Sequence, residues 1–207
     1  LDLSQLAHEL RSLLTAICYG DYLQQHVAPE LRTLRDVALS GNGEPTSAAE
    51  FAAAVLCVER VLREFSLIDT VKIRLITNGS LADRPYVQTA LRSLAAAGGE
   101  VWFKLDGGRA EDIARINGVD LAPEAHARRL ALCASLCPTW VQTCMFRWDG
   151  APPSDAMIAA YLAILDSADT TALKGVHLYG LARPSLQPEA SHLQRLSPDE
   201  LEQIARR

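Results

Sequence analysis

The sequence Gly41-Asn42-Gly43-Glu44-Pro45-Thr46 lies between a short apolar run and a segment with a helix-start signal. The apolar run, Asp36–Ser40, is typical of a buried β-strand. Ser47–Glu50 has the Ser-x-x-Glu form of a capping box, which predicts a helix over residues 47–64. The order of strand, glycine turn and helix therefore predicts a βα unit. Its loop would lie at the carboxyl end of the strand, where parallel α/β proteins bind ligands.

Each residue of this loop suits a turn that approaches a ligand closely. Gly41 and Gly43 allow a sharp turn, and Asn42 tolerates a left-handed conformation. Glu44 places a carboxylate at the rim, where it could hold an ammonium group, and Pro45 stiffens the exit. The alternative is an ordinary βα turn in which Glu44 is simply solvated.

The composition is that of a folded domain. With 207 residues, of which 49% are hydrophobic, the chain can form one domain with a substantial core. The net charge of −5 argues against a broad nucleic-acid-binding surface, although a local basic patch stays open. No apolar run is long enough to span a bilayer. Five irregularly spaced cysteines are typical of reduced thiols in a cytoplasmic protein.

Five apolar runs along the chain are predicted to be β-strands, and helical segments alternate with them. The runs are Asp36–Ser40, Val71–Ile76, Val101–Asp106, Thr139–Phe146 and Gly175–Leu181. Further helices are predicted from Leu3 to Ile17, from Pro85 to about Gly98, near 110–117, near 122–136, from Ser154 to about Asp166, and after Ser197. The alternation predicts parallel strands joined by right-handed crossovers in one α/β domain.

The first residue is Leu1, and an amphipathic helix follows at once. In a barrel built from βα units, a first strand and its loop come before the first helix. We therefore expect an amino-terminal segment, with a first strand, ahead of Leu1.

Several motifs of the chain together resemble those of the radical SAM superfamily. Enzymes of this family carry a Gly-Gly-Glu-Pro segment after the second barrel strand, and it binds the amino group of S-adenosylmethionine. Asn42-Gly43-Glu44-Pro45 is similar to that segment, with Asn in place of the first Gly. Thr77-Asn78-Gly79 resembles the turn after the family's third strand, and Phe103–Gly107 resembles its fourth strand. Gln142 falls in the fifth strand.

The resemblance implies a partial (β/α)6 open TIM barrel of parallel strands, five of them in this chain, as a single domain over residues 1–207. Residues Val176–Leu181 correspond to the sixth strand, whose backbone commonly flanks the adenine. The residues implied to bind the cofactor are Gly41, Asn42, Gly43, Glu44, Pro45, Asn78, Lys104, Asp106, Gln142 and Tyr179.

The resemblance also implies a chemistry and its participants. A [4Fe-4S] cluster and S-adenosylmethionine would generate a 5′-deoxyadenosyl radical that abstracts hydrogen from an unknown substrate. Such an oxidoreductase-type enzyme takes its electron from a low-potential donor such as flavodoxin or ferredoxin. The alternative is a non-catalytic module that binds S-adenosylmethionine or another nucleotide, or that only binds a partner.

The chain departs from the family in its cysteines. The family holds its cluster with Cys-x-x-x-Cys-x-x-Cys after the first strand, and no such triplet occurs here. Cys133 and Cys137 have the first interval, but the next cysteine is Cys144. We expect all three to be buried and inert, and we expect the same of Cys18 and Cys57. The cluster ligands are therefore expected upstream of Leu1.

Other polar residues are candidates for lining the site. In a strand, Lys104 and Asp106 would point to one side, and Phe103 and Leu105 to the other. Lys104 could meet the cofactor carboxylate or a substrate anion, or could form an internal ion pair with Asp106. Four histidines, His8, His26, His126 and His192, show no metal-ligand spacing, so the sequence does not predict a zinc site.

Overall fold

Strands and helices alternate along the chain, as the sequence predicted. The computed structural model describes residues 1–41, 43–186 and 188–207, so Asn42 lies outside the described residues. The strands of the described chain are β1 (Asp36–Leu39), β2 (Lys72–Thr77), β3 (Glu100–Lys104), β4 (Thr139–Cys144), β5 (Arg147–Trp148), β6 (Leu173–Tyr179) and β7 (Leu193–Gln194). Its α-helices are α1 (Leu3–Cys18), α2 (Tyr22–His26), α3 (Phe51–Glu64), α4 (Pro85–Ala96), α5 (Ala110–Asn117), α6 (Pro123–Leu136), α7 (Asp155–Ser167) and α8 (Pro198–Ala205).

Five of the strands form one parallel sheet in the order β1-β2-β3-β4-β6. This order follows the chain, which confirms the predicted parallel α/β arrangement. Strands β5 and β7 pair antiparallel in a small second sheet that the sequence did not predict. None of the helices among the described residues is both long and apolar enough to cross a membrane.

The described chain divides into two compact units. The first comprises Leu1–Thr77, Leu81–Val101 and Leu136–Pro138, and the second comprises Asn78–Ser80, Trp102–Ser135 and Thr139–Arg207. The expectation of a single domain stays a prediction.

In the first unit, α3 packs against both α1 and α4. Its predicted apolar face is buried as expected and consists of Phe51, Ala54, Val55, Val58, Val61 and Leu62. Strand β2 buries Ile73 and Leu75 completely, while the alternate residue Arg74 stays half-buried. Arg74 forms ion pairs with Asp36 of β1 and, at 2.7 Å, with Glu100. One face of this part of the sheet is therefore apolar, and the other is charged.

The predicted capping box at Ser47–Glu50 is wrong. Pro45–Ser47 forms a 3-10 turn whose N-cap is Glu44, and the Ser47 hydroxyl donates to the Glu44 carbonyl at 2.7 Å. Helix α3 begins only at Phe51, and Glu50 caps it without a side-chain hydrogen bond. The reason is that a turn begins at Glu44, three residues before Ser47, with Pro45 as its first helical residue. The Ser47 hydroxyl bonds to the Glu44 carbonyl of this turn and therefore does not cap α3.

The second unit contains helices that begin where their sequence signals predicted. Ser154 caps α7 by accepting from the Met157 N–H at 3.2 Å. Helix α8 has the full capping box of Ser197 and Glu200, with Pro198 at the first helical position. Such caps satisfy backbone N–H groups that have no partner within the helix.

The turn after β2 depends on a glycine. Gly79 has a φ of +70°, a left-handed conformation that side chains with a Cβ rarely adopt. A Cβ at this position would lie only 2.2 Å from the ring of Phe103, which is fully buried. The predicted Thr77-Asn78-Gly79 turn therefore needs glycine both for its backbone and for the space that Phe103 fills.

Replacing Gly79 by Ala is expected to lower the free energy of unfolding by about 3 kcal/mol, since backbone strain and steric overlap add. Gly118→Ala is the matched control, because Gly118 has a φ of +68° but nothing within 4 Å of its Cβ position. The control should lose only about 1–2 kcal/mol. Urea denaturation of both variants measures the difference, and equal losses would contradict the role of Phe103.

Candidate functional site

The Glu44 carboxylate is fixed by three hydrogen bonds. Its Oε1 accepts from the Thr46 N–H at 3.2 Å, the Thr46 hydroxyl at 2.7 Å and the Thr77 hydroxyl at 2.6 Å. Thr46 and Thr77 are each only 2% exposed, whereas Glu44 is half-buried. A carboxylate oxygen held by several donors keeps one orientation, so Glu44 is not the freely solvated side chain of an ordinary turn.

The loop around Glu44 forms a small concave site. Gly43 has a φ of +138°, and its N–H donates to the Gly41 carbonyl at 2.9 Å. The Tyr86 hydroxyl donates to the Thr46 carbonyl at 3.0 Å and so ties the loop to α4. A cavity of about 170 Å³ is lined by Ser40, Gly41, Gly43, Glu44, Pro45 and Ser47. Gly41, Gly43, Glu44 and Pro45 of the predicted loop thus line one cavity in the first unit, whereas Thr46 is buried.

In the second unit, Asp106 lies just beyond the carboxyl end of β3. Its carboxylate accepts from the Cys144 N–H at 2.9 Å and from the Asn117 side chain at 3.3 Å. Burial raises the pKa of Asp106 above its usual value, and these hydrogen bonds and the Lys104 charge only partly oppose the shift. Asp106 and Cys144 line a cavity of about 270 Å³, together with Arg109, Arg115 and Trp148.

Lys104 ends β3 and Asp106 lies two residues beyond it, and both alternate with buried residues as the sequence pattern predicted. Phe103 and Leu105 are completely buried, while Lys104 is exposed and Asp106 half-buried. Lys104 and Asn78 line another cavity of about 450 Å³ in this unit. Asn78 follows β2, and its side-chain oxygen accepts from the Ser80 N–H at 2.9 Å, the local bond typical of a turn asparagine.

Gln142 and Tyr179 lie on β4 and β6. The Gln142 side-chain oxygen is buried, and no hydrogen-bond partner for it occurs among the described residues. The Tyr179 side chain is 38% exposed. Burial of its hydroxyl, with the nearby Asp106 charge adding to the effect, raises the pKa of Tyr179 to about 12, so the phenol stays protonated at neutral pH.

Three of the five cysteines are buried as predicted, whereas Cys144 is half-buried and Cys18 is exposed. Cys57, Cys133 and Cys137 are buried, and burial raises the pKa of the Cys137 thiol to about 12. Burial, together with the Asp106 charge, raises the pKa of Cys144 to about 12 as well. Such thiols are protonated and unreactive at neutral pH. Cys18 is exposed, so its predicted burial is wrong: it lies at the last position of α1, of which only Leu14 is buried.

Two features of the second unit were missed by the sequence reading. His177 stacks on Trp140 with ring centroids 4.5 Å apart and lies 4.6 Å from the Trp102 ring. His126 is 5% exposed, and neither of its ring nitrogens has a hydrogen-bond partner in the described part of the chain. The sequence identified His126 only as a histidine without metal-ligand spacing, and no local pattern reveals an unpartnered ring.

The His126 ring is held in its neutral form. Burial lowers the pKa of His126 to about 4, and the Arg129 charge acts in the same direction. The Lys104 backbone favours the charged ring and so partly opposes this lowering of the pKa. It forms no hydrogen bond of normal geometry with either ring nitrogen. At neutral pH one ring nitrogen can therefore donate a hydrogen bond and the other can accept one.

Within residues 1–41, 43–186 and 188–207, no group of three or more His, Cys, Asp or Glu side chains could hold a metal ion. The described cysteines therefore do not form the ligand set of an iron–sulfur cluster. No protein-family model matches the chain, and a comparison with curated proteins found no significant match.

The lowered pKa of His126 predicts a loss of stability in acid. As the pH falls from about 6.5 to about 4, the unfolded chain binds a proton that the folded chain does not. Between pH 7 and pH 5 this linkage should remove about 2 kcal/mol of unfolding free energy. His126→Phe should lack this component. Urea denaturation of both proteins at the two pH values measures it, and identical pH dependence would show that His126 is not held neutral.

Proposed function

We propose that this chain is the S-adenosylmethionine-binding core of a radical SAM enzyme. The single observation that carries the proposal is the Glu44 carboxylate, which three donors hold beside a glycine turn after β1. A carboxylate fixed in this way can bind the ammonium group of the cofactor through a charge-assisted hydrogen bond. The resemblance of Asn42–Pro45 to the family's ammonium-binding segment assigns the same role to this position.

The architecture supports the proposal at a coarse level. Five parallel strands follow one another in chain order, as a partial barrel of βα units requires. The proposal includes the finer arrangement, in which this sheet belongs to an open (β/α)6 barrel. The turn Thr77-Asn78-Gly79 adds to the support, since Gly79 has the left-handed backbone that this motif needs.

In the proposed reaction the cofactors supply the radical chemistry, and the protein chain binds and orients them. S-adenosylmethionine, together with a reduced [4Fe-4S] cluster, supplies a 5′-deoxyadenosyl radical for hydrogen abstraction. In the proposal, Glu44 orients the cofactor, and the cluster is held by a Cys-x-x-x-Cys-x-x-Cys segment outside these 207 residues. Flavodoxin or ferredoxin would supply the electron. The protein's own contribution is to bind and orient the cofactor and to exclude water.

In a longer chain that includes the cluster-binding segment, Glu44→Gln should weaken the binding of S-adenosylmethionine by about tenfold or more, because the amide keeps the shape but removes the charge that faces the ammonium group. Glu30→Gln makes the same chemical change at an exposed residue of a different element and should leave the affinity unchanged. Isothermal titration calorimetry at one ionic strength measures all three proteins. Absence of S-adenosylmethionine binding by that longer chain, or equal affinity in Glu44→Gln, would contradict the proposal.

The orientation of Glu44 can be tested without changing its charge. Thr77→Val removes the hydroxyl that donates to Oε1 and should weaken cofactor binding, whereas Thr77→Ser keeps the hydroxyl and should retain the affinity. Equal affinities of the Val and Ser variants would mean that the Thr77 bond serves folding alone.

A further inference from the structure

The cavity of about 450 Å³ in the second unit has the size of a small-molecule site. Its polar lining comes from the turn after β2, the end of β3, and helices α5 and α6. Polar side chains of the lining include those of Ser80, Lys104, Asn117, His126 and Arg129. Elements distant in sequence thus contribute to one concave surface, which we call the β3–α6 cavity.

The charges of the β3–α6 cavity favour an anion. Lys104 and Arg129 line it, and neither makes an ion pair with any residue of the described chain. Among the described lining residues the acidic side chain is Asp120, which is exposed. An Arg guanidinium offers a planar pair of donors that matches phosphate oxygens, and a Lys ammonium adds a mobile point charge.

The unpartnered His126 ring is a second and independent indication of a ligand. It lines the same cavity at 5% exposure, and both ring nitrogens are buried without a partner among the described residues. Buried polar groups in folded proteins are nearly always hydrogen-bonded, so an exception requires an explanation. A bound hydroxyl group could accept from the protonated nitrogen of a neutral imidazole or donate to the other nitrogen.

We propose that the β3–α6 cavity binds a phosphorylated, hydroxyl-bearing small molecule, with Lys104 and Arg129 on the phosphate and His126 on a neighbouring hydroxyl. The Ser80 hydroxyl and the Asn117 side chain complete the polar lining. This site goes beyond the proposed cofactor function and does not rest on it, because His126 and Arg129 are not among the residues implied to bind the cofactor and Glu44 is not involved. Lys104 and Asn78 are common to both sets.

The phosphate contact is tested with ribose 5-phosphate as the probe, by calorimetric titration at constant ionic strength. Arg129→Gln should weaken binding by about tenfold, the effect of losing one charge-assisted contact. Arg128→Gln is the matched control: it removes the same charge from the neighbouring, exposed position of α6 and should change the affinity less than twofold. Equal losses in both variants would indicate nonspecific attraction and would overturn the proposal, as would the absence of binding.

The hydroxyl contact is tested by comparing ribose 5-phosphate with inorganic phosphate. Ribose 5-phosphate should shift the ¹⁵N resonances of the His126 ring, and inorganic phosphate should bind more weakly and shift them less. Unmoved ring resonances would show that His126 does not contact the ligand.

A competition experiment with S-adenosylmethionine separates this proposal from the cofactor site. Displacement of the bound sugar phosphate would show that the cavity belongs to the cofactor and would overturn the inference of a second ligand.

Discussion

The hydrogen bonds from Thr46 and Thr77 to one oxygen of Glu44 fix the loop after β1 and join it to the last residue of β2. They are possible because β1 and β2 are parallel and in register, with Leu39 opposite Leu75, so that both strands deliver their following residues to the same edge. Right-handed βα crossovers produce this arrangement regardless of the loop sequence. The loop chemistry then decides what that edge can bind, and here it offers an oriented carboxylate.

The sequence was sufficient to predict the structural features that depend on a local residue pattern. Alternation and helical period located the five parallel strands and the long helices, because burial of one face imposes those periods. It was insufficient where a partner lies far along the chain. Glu44 could be named from its loop, but not the Thr77 hydroxyl 33 residues away that orients it. Strands β5 and β7 span two residues each, too few for any period, and exist only through their mutual pairing.

In the second unit, the half-exposed face of the sheet changes character along its strands. On β3 the residues run from Trp102 to Lys104, with Asp106 two residues beyond the strand, and on β4 they run from Trp140 to Gln142. The aromatic residues lie toward the amino ends and the polar ones toward the carboxyl ends. Trp140 stacks with the His177 ring, and Trp102 contacts the same ring at a tilt. Parallel α/β folds place their chemistry at the carboxyl ends of strands. The packed rings of Trp102, Trp140 and His177 thus stabilise one part of this face, while the part near the carboxyl ends of the strands stays polar.

Gly79, Phe103 and His126 touch in series: the glycine leaves room for the Phe103 ring, and that ring lies 5.1 Å from the His126 ring, centroid to centroid. Three positions on three different elements therefore share one steric constraint. Sequences that diverge from this chain should not vary independently at these positions. A side chain larger than hydrogen at position 79 requires a smaller residue at position 103, and a smaller residue there frees the imidazole to turn. The turn after β2 and the wall of the β3–α6 cavity should therefore covary as a single evolutionary unit.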